Sequence, residues 1–482
     1  MAKIAFVQNL FFEYLGIMYL SSVLKRGGHT VEMFIPDNAH DLEKFTNEIS
    51  DFQPDLVGFS CTTGSHNWAL RCAESLKQKI ACKTIFGGPH PTYFPDLINE
   101  PAVDIICRGE GEFALLEICN NIDCNKDITS ILSCWFKQEG HVIKNDQRNL
   151  LEDLDSLPFP DRSLYVLKYP YFQKSQKVFI ASLGCPFNCT FCFNHQYKEL
   201  YKDKGKFVRY RSVDNIINEL KEVKRTEKNF RTVYMQDDTF ILNKVWVKEF
   251  AQRYAREINL PFICLIRADL ADEDVIKSLS EANCKSVFFG IETGVEKVRN
   301  ELLQKSVTDD QIFHTAELLK KYGIKFRTYN MLGLPGEKLS DAFQTVAINS
   351  KIKTDYPWCS LFYPLPGTEL AQFAAENNLI DSTCKDAEPS FFKGSSLKSC
   401  NRNELINLQK LFFYAVKFPR LMPLIKLIIK LKPNIFFEFC FLISYAISYM
   451  GSENLSLKEV FSVAKRNFKR FFFGSLDEKS AV

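Results

Sequence analysis

Two long stretches of this sequence alternate short runs of β-branched and aromatic residues with amphipathic helical segments. In the first stretch, residues 1–125, the runs with the composition of strands are 3–9, 29–34, 56–61, 83–88 and 103–109. Helical segments such as "GIMYLSSVLKRG" and "NWALRCAESLKQK" separate these runs. The alternation is typical of an α/β domain, and it predicts a doubly wound, Rossmann-like parallel sheet.

A second alternation begins at residue 177. Its strand candidates are residues 177–184, 231–238, 261–268, 286–292, 325–333 and 359–367. Helical candidates such as 213–225, 243–257 and 309–322 lie between them. Six β/α units predict a parallel barrel, open or complete, in which functional residues gather at the C-terminal ends of the strands.

The chain of 482 residues is long enough for two or three domains. A hairpin-like stretch, "CWFKQEGHVIK", and a proline-containing connector at 154–165 indicate a boundary between the two alternations. We therefore predict a Rossmann-like domain at 1–130, a linker with a hairpin at 131–170, a partial (β/α)6 barrel at 171–375 and a helical C-terminal cap at 376–482.

The C-terminal region differs in composition from the rest of the chain. Residues 401–482 contain 13 Lys and Arg against 6 Asp and Glu, although the whole chain has a net charge of only +3, which gives no case for nucleic-acid binding. The most apolar run, 435–450, contains Glu438 and is shorter than the roughly 20 residues that cross a bilayer. We favour a helical cap over a basic, aromatic-rich surface (including "AKRNFKRFFF") that lies on anionic lipid.

Three cysteines lie close together directly after the first strand of the second alternation. The stretch "GCPFNCTFC" places Cys185, Cys189 and Cys192 in a loop rich in Gly, Pro and Asn. The N-terminus lacks the pattern of a secretory signal, so we expect a cytoplasmic protein with reduced thiols. Clustered cysteines in such a protein are more typical of metal binding or catalysis than of disulfides.

The spacing C-x-x-x-C-x-x-C distinguishes between the metals that these thiols could bind. A structural zinc site closes with four protein ligands, but no second cysteine pair follows here, and Cys264 and Cys284 stand alone. A [4Fe–4S] cluster has four irons, so three thiolates leave one iron open to another ligand. We therefore favour an iron–sulfur cluster over a zinc site and over a purely structural role.

The three cysteines, with Phe191 just before the last of them, resemble the signature of radical S-adenosylmethionine (SAM) enzymes. The resemblance implies that SAM binds the open iron and is cleaved to a 5′-deoxyadenosyl radical. Further motifs follow in the family's order: "MQDDTF", "IRAD", "FGIETG" and "MLGLPGE". By this resemblance, the residues that contact SAM are Phe191, Gln236, Asp237, Asp238, Arg267 and Glu292.

Each of these SAM residues also has a simpler interpretation. Asp237 and Asp238 could cap the next helix, although two carboxylates at a strand end are costly without a cationic partner. Arg267 could belong to a surface ion pair, and Glu292, which precedes Thr-Gly, could have a role only in forming a turn. The segment "GLPG" at 333–336 is equally compatible with a backbone turn and with a ligand contact.

The N-terminal stretch resembles the cobalamin-binding domain that precedes many radical SAM barrels. The matching pieces include "PDLVGFSCTTGSHNWAL", "IFGGPHPTYFPD" and "DIICRGEGEFALLEI". No histidine lies in an Asp-x-His-x-x-Gly loop, so the resemblance implies cobalamin held without a histidine from that loop. The residues expected to contact cobalamin are Ser60, Thr62, Thr63, Gly87, Gly88 and His90.

The two resemblances together imply an enzyme that functionalises an unactivated carbon. The leading hypothesis is a cobalamin-dependent radical SAM C-methyltransferase that uses a [4Fe–4S] cluster, SAM and cobalamin. Cyclisation, oxidation or carbon–carbon coupling with the same cofactors is an alternative, and a non-catalytic cobalamin or iron–sulfur sensor is another. We expect a small-molecule or lipid substrate, an external electron donor of the flavodoxin or ferredoxin type, and no nucleic acid.

Overall fold

The computed structural model describes residues 1–9, 12–37, 41–380, 397–398, 401–453, 455 and 459. The chain forms two compact units. Unit 1 contains Met1–Gln173, Ser182–Asn188 and Cys192–Asn215, and unit 2 contains Lys174–Ala181, Cys189–Phe191 and the described residues from Ile216 onward. The segment boundaries proposed from the sequence stay predictions, and the stretch "AKRNFKRFFF" lies outside the described residues.

The strands of the described residues follow the two alternations of the sequence. In chain order they are β1 (Lys3–Val7), β2 (Thr30–Phe34), β3 (Leu56–Ser60), β4 (Lys83–Gly87), β5 (Ile105–Cys107), β6 (Cys134–Gln138), β7 (His141–Lys144), β8 (Gln176–Phe179), β9 (Ser182–Leu183), β10 (Arg209–Tyr210), β11 (Thr232–Met235), β12 (Phe262–Leu265), β13 (Cys284–Glu292), β14 (Lys325–Leu332) and β15 (Tyr356–Leu361).

The α-helices of the described residues lie mostly in the connections between strands. In chain order they are α1 (Leu15–Arg26), α2 (Leu42–Asp51), α3 (His66–Lys77), α4 (Pro89–Tyr93), α5 (Glu112–Asp123), α6 (Ser163–Val166), α7 (Asn194–Leu200), α8 (Val213–Thr226), α9 (Lys244–Glu257), α10 (Glu273–Glu281), α11 (Asp309–Lys321), α12 (Leu339–Lys351), α13 (Glu369–Glu376), α14 (Arg402–Lys417), α15 (Met422–Ile428) and α16 (Ile435–Glu453).

The main sheet of unit 1 has the order β2-β1-β3-β4-β5-β6-β7 within the described residues. Strands β1 to β5 pair in parallel, and the hairpin β6–β7 continues the sheet in antiparallel pairing. Both faces are covered: α1 and α5 pack on one, and α2 and α3 on the other. The central strands are therefore almost continuously apolar, as in Ile4–Val7, because neither face meets water. The predicted doubly wound sheet is confirmed.

Unit 2 contains a sheet of six strands in the order β15-β14-β13-β12-β11-β8, all paired in parallel, within the described residues. β8 and β15 are the two edges of this sheet and do not pair with each other. Helices α8 to α12 follow the strands in turn, so each helix covers the outer face of the sheet. This arrangement confirms the predicted partial (β/α)6 barrel.

The C-terminal helices α14 and α16 pack on unit 2 beside its edge strand. Leu408, Phe412 and Phe437 share a core with Leu332 and Leu361 of the sheet. Glu438 of α16, the one acid in the apolar run, accepts a hydrogen bond from buried Lys410 at 2.9 Å. These contacts confirm the predicted helical region for the described part of the C-terminus.

Helix α16 extends across the open side of the barrel. Tyr445 packs against Trp358 of β15 with ring centroids 5.1 Å apart. At the C-terminal end of the helix, Gln176 of β8 donates a hydrogen bond to the carbonyl of Glu453 at 3.0 Å. Because β15 and β8 are the unpaired edges, α16 covers the gap that six strands leave.

Helix α16 is also long and apolar enough to cross a membrane by length and composition. In its most apolar window, 28% of the residues are buried inside the protein. The same test is passed by core helices of globular proteins, so this finding alone does not establish a membrane span.

Candidate functional site

The loop with the three cysteines begins at a glycine that its backbone requires. Gly184 has φ = +89°, and a Cβ there would lie 2.4 Å from the carbonyl oxygen of Phe207. Cys185 and Cys192 are half-buried in unit 1, whereas Cys189 is buried in unit 2. Two of the three thiols are thus partly accessible.

The middle of this loop is held firmly within unit 2. The backbone N–H of Thr190 donates to the carbonyl of Leu303 at 3.1 Å, and its hydroxyl donates to that of Leu302 at 2.7 Å. The Thr190 carbonyl accepts the N–H of Leu370, the second residue of α13, at 3.0 Å. Phe191 packs against an apolar cluster of unit 2 that includes Leu334. The predicted contact of Phe191 with SAM stays a prediction.

Arg267 gives Cys189 a cationic neighbour. Its Nη1 lies 3.7 Å from the Cys189 sulfur. Asp269 accepts from the same guanidinium at 3.0 and 3.1 Å, and the carbonyl of Lys305 accepts at 2.7 Å. Arg267 is buried, so the alternative of a surface ion pair is wrong. A hydrogen bond to a sulfur is one of the ways in which a protein tunes an iron–sulfur cluster.

The chemistry of the loop fits a [4Fe–4S] cluster better than a single metal ion. Among the described residues, no group of three or more His, Cys, Asp and Glu side chains could hold one metal ion. A cubane needs a different arrangement, since each thiolate binds its own iron and the three sulfurs need not converge on one point. The predicted ligand set stays a prediction.

The predicted SAM residues of unit 2 lie at the C-terminal ends of adjacent strands. Gln236, Asp237 and Asp238 follow β11, and Arg267 follows β12. Asp237 is buried and accepts the N–H of Ala181 at 3.1 Å, whereas Gln236 and Asp238 are exposed. The alternative that Asp237 or Asp238 caps the next helix is wrong, because Asn243 caps α9 by accepting the N–H of Trp246.

Glu292, at the end of β13, has a cationic partner that its sequence surroundings do not indicate. The Glu292 carboxylate and the Lys305 ammonium form a buried ion pair at 2.6 Å. The backbone of Glu292 has φ = +66°, a strained conformation for a residue other than glycine. A strained residue in a buried ion pair is more typical of a functional site than of a turn, but the contact with SAM stays a prediction.

Gly290 provides the space for this ion pair. A Cβ at Gly290 would lie 1.8 Å from Glu292 Oε1 and 2.6 Å from Lys305 Nζ. We predict that Gly290→Ala displaces both groups and lowers the free energy of unfolding of unit 2 by about 1–3 kcal/mol. Thermal unfolding of the variant measures this loss.

Gly16→Ala is the matched control, because a Cβ at Gly16 in the first turn of α1 meets no atom within 4 Å. Its stability should be unchanged or higher by up to about 1 kcal/mol. Equal unfolding temperatures for the Gly290→Ala variant and the wild type would contradict the steric role of Gly290.

The predicted cobalamin residues lie together at the ends of β3 and β4 in unit 1. Ser60 and Gly87 are the last residues of β3 and β4, Thr62 and Thr63 follow β3, and Gly88 and His90 follow β4. Gly88 has φ = +90°, and a Cβ there would lie 3.1 Å from both the N and O atoms of Cys61. Gly88 is therefore required by its own backbone, whereas a Cβ at Gly87 would make only ordinary contacts. Contact of all six residues with cobalamin stays a prediction.

A second histidine, His66, lies in this edge and was not predicted. The rings of His66 and His90 stack with centroids 3.7 Å apart, and His90 Nδ1 lies 3.1 Å from the Thr63 hydroxyl. Burial and the neighbouring His66 lower the pKa of His90 to about 4, and burial lowers that of His66. Both rings are neutral at pH 7. The sequence does indicate His66, because it lies in "TTGSHNW", the same loop after β3 that contains Thr62 and Thr63.

Within unit 1, one end of the cysteine loop packs beside the predicted cobalamin residues. Tyr93, three residues after His90, stacks on Phe193, the residue after Cys192, with ring centroids 4.4 Å apart. On the neighbouring loop, the N–H of Glu110 donates to the hydroxyl of Tyr201, the residue that follows α7, at 2.8 Å. The C-terminal end of the cysteine loop therefore packs on the same sheet edge that carries the predicted cobalamin residues.

Glu337, in the motif "MLGLPGE", is a further half-buried residue to which the sequence assigned no role. Its Oε2 accepts the N–H groups of Gly333 and Leu334, which closes the turn after β14. Its Oε1 has no hydrogen-bond partner among the described residues, and burial raises the pKa of the carboxyl to about 8. The turn interpretation of "GLPG" is thus supported, with a carboxyl that is largely protonated at pH 7.

Two family models match the two strand–helix alternations of the chain. Residues 179–347 match the model of the radical SAM superfamily, and residues 8–118 match that of the B12 binding domain. The chain is 30% identical over 376 residues to the uncharacterized methyltransferase PH0819 of Pyrococcus horikoshii, covering 76% of this chain and 79% of that protein. It belongs to the family of radical SAM enzymes with a cobalamin-binding domain. The cofactors of the family are a [4Fe–4S] cluster, SAM and cobalamin.

Two other proteins show the breadth of this similarity. The anaerobic magnesium-protoporphyrin IX monomethyl ester cyclase of Rubrivivax gelatinosus is 25% identical, over 74% of this chain and 65% of its own. The solved structure of the cobalamin-dependent SAM radical enzyme OxsB with aqua-cobalamin superposes with a TM-score of 0.68 at 17% identity. It covers 98% of this chain and 76% of that one, which shows that the fold is shared.

Proposed function

We propose that this enzyme is a cobalamin-dependent radical SAM C-methyltransferase that acts on an unactivated carbon. The observation that carries the proposal is the stacking of Tyr93 on Phe193, which joins the candidate cobalamin edge to the cysteine loop. The similarity to a protein named as a methyltransferase over three quarters of both chains supports the same reaction. Methyl transfer needs both cofactors at one substrate, and this packing supports their proximity.

The residues of the cysteine loop have separate tasks in this proposal. Cys185, Cys189 and Cys192 hold the cluster, and Arg267 places positive charge at the Cys189 sulfur. When bound, the cluster and SAM supply a carbon-centred radical oxidant, and methylated cobalamin supplies the methyl group. Phe191 fixes the loop in the apolar cluster of unit 2 and helps to exclude water.

The ends of β11 to β13 are proposed to bind SAM. The Glu292 carboxylate suits the ammonium or ribose hydroxyls of SAM, and Lys305 holds that carboxylate at 2.6 Å. Buried Asp237 keeps the ends of β8 and β11 together through the Ala181 N–H, and Gln236 and Asp238 lie exposed at the end of β11. Arg267 acts on SAM only through Cys189 in this proposal.

The ends of β3 and β4 are proposed to bind cobalamin. Ser60, Thr62 and Thr63 offer hydroxyl groups, and the tight Gly88 turn brings its backbone close to β3. His66 and His90 stack on each other as neutral rings, so each can donate or accept a hydrogen bond without a charge.

Methyl-labelled SAM tests this function. Anaerobically reconstituted enzyme is supplied with reductant, cobalamin and a fractionated cell extract. We expect 5′-deoxyadenosine and a product with the label on carbon. Formation of 5′-deoxyadenosine without transfer of label would instead favour the second candidate. The absence of both products would overturn the proposal.

A cyclase, or another radical reaction with the same cofactors, is the second candidate. The observation that favours it is the similarity to the Rubrivivax gelatinosus cyclase over 74% of this chain. The labelled-SAM experiment separates the two, because a cyclase leaves the methyl group of SAM out of its final product.

For the partners and location we propose a small-molecule or lipid substrate and an external one-electron donor of the flavodoxin or ferredoxin type. We propose that the enzyme works in the cytoplasm and can contact the inner face of the membrane. The donor is tested by replacing dithionite with reduced flavodoxin in the assay, which should sustain formation of 5′-deoxyadenosine.

A further inference from the structure

The C-terminal helices of unit 2 expose an apolar surface that the described residues leave uncovered. Its members are large apolar residues that are each 40–79% exposed. They are Phe418, Leu421, Leu424, Leu427, Leu431, Ile435, Phe436, Phe439, Ile443 and Ile447. We call them, together with the exposed bases among them, the basic-apolar surface. Such a concentration of exposed Leu, Ile and Phe is unusual for a surface that faces only water.

In α16 the exposed residues form one stripe. Ile435, Phe439, Ile443 and Ile447 follow each other at intervals of four residues, so they lie on the same side of the helix. The stripe is about 18 Å long at 1.5 Å per residue. The opposite side is packed into the protein through Phe437 and other core residues. The helix therefore has two apolar sides, of which only one is covered by described residues.

Helix α15, with Ile429 directly after it, is likewise buried on one side and exposed on the other. Ile425 and Ile429 are buried in the core of unit 2, whereas Leu424 and Leu427 point outwards and are 53% and 65% exposed. The side chain of Asn407 in α14 donates to the backbone carbonyl of Ile429 at 2.9 Å, which fixes the end of this segment on the protein. The outward leucines are thus held on a well-packed support.

The charges in the segment that carries this surface are predominantly positive, and its acid Glu438 is paired with Lys410. No Asp or Glu occurs in the sequence between Glu404 and Glu438. In that interval Arg420, Lys426, Lys430 and Lys432 are exposed. Exposed leucines and phenylalanines between bases, with few acids, are the combination that binds the interface of an anionic bilayer.

We propose that the basic-apolar surface lies in the plane of an anionic phospholipid membrane and attaches the enzyme to it. Crossing of the bilayer by α16 does not fit the structure, because one side of this helix packs on the barrel. In particular, buried Glu453 at its end pairs with Arg327 of β14 at 3.1 Å. This inference specifies the membrane contact proposed above and does not depend on the reaction.

A second copy of the chain is a less suitable occupant. A symmetric dimer brings the same patch of each copy together. Here it would bring Arg420, Lys430 and Lys432 close to the bases of the other copy, and the one acid in residues 405–450, Glu438, is already paired with Lys410. Phospholipid headgroups supply the missing negative charge.

Vesicle sedimentation of the full-length protein tests the proposal. Wild-type protein should pellet with phosphatidylglycerol-containing vesicles, and much less with pure phosphatidylcholine or at high salt. The variant Lys430→Glu/Lys432→Glu should bind at least about 25-fold more weakly, since each base near an anionic surface contributes about fivefold. The variant Leu427→Ser/Phe439→Ser should lose binding at low salt as well.

Matched controls exist elsewhere on the chain. Lys277→Glu/Lys297→Glu changes the same charge at exposed positions, and Leu167→Ser/Val245→Ser removes two exposed apolar side chains outside the surface. Both controls should bind as the wild type does. Equal binding by all variants, or no wild-type binding to anionic vesicles, would overturn the proposal. So would a wild-type dimer that the Leu427→Ser/Phe439→Ser variant converts to monomer without any vesicle binding. Circular dichroism of each variant confirms that it is folded.

Discussion

Replacing Cys185, Cys189 or Cys192 singly by Ser should abolish SAM cleavage. A [4Fe–4S] cluster with one protein ligand fewer exposes two irons, and a serine hydroxyl is a poor ligand for them. We expect the iron and sulfide content of each reconstituted variant to fall far below that of the wild type. The measurements are the absorption of the cluster, the metal content and the 5′-deoxyadenosine formed with reductant.

Cys124→Ser is the matched control, because Cys124 is exposed at the end of α5 and belongs to no proposed site. This variant should keep its cluster and its activity. A Cys185→Ser or Cys192→Ser variant with full cluster content would contradict the ligand assignment. For buried Cys189, circular dichroism first establishes that the variant is folded.

Much of the fold follows from local patterns in the sequence. The strand candidates 56–61 and 83–88 became β3 and β4, because continuous apolar runs bounded by Gly and polar residues suit only a sheet covered on both faces. Ligand-binding loops follow the C-terminal ends of parallel strands, and this rule predicts that Thr63 and His90 lie at one edge of the sheet. In the structure their side chains are 3.1 Å apart.

The pairings inside the site could not be predicted in this way. Arg267 and Cys189 are 78 residues apart in sequence, and the segment that holds Lys305 has no recognisable motif. Such contacts depend on how loops from different strands pack, and no periodicity encodes that. For the same reason the sequence indicated a C-terminal helical cap but not that α16 closes the gap between β8 and β15.

Arg327→Met should be the most destabilising substitution outside the cysteine loop. Arg327 of β14 is buried and pairs with buried Glu453 of α16 at 3.1 Å, and it also donates to the Ser452 hydroxyl. Methionine leaves the Glu453 carboxylate buried without its cation, which costs about 3–5 kcal/mol. Since this pair fixes the end of α16, we expect faster hydrogen–deuterium exchange in peptides that cover Ile435–Glu453.

Two control variants separate the effect of the unpaired Glu453 charge on stability from the effect of the lost Arg327 side-chain packing. Lys277→Met removes one partner of the exposed Lys277–Glu281 pair at 3.9 Å and should cost less than about 1 kcal/mol. The double variant Arg327→Met/Glu453→Gln removes the uncompensated charge, so it should be more stable than Arg327→Met alone. If the double variant were the less stable of the two, the side chain of Arg327 would act through its contacts with Phe288 and Trp358 instead. Recovery would show that a buried charge pair holds α16 across the open barrel.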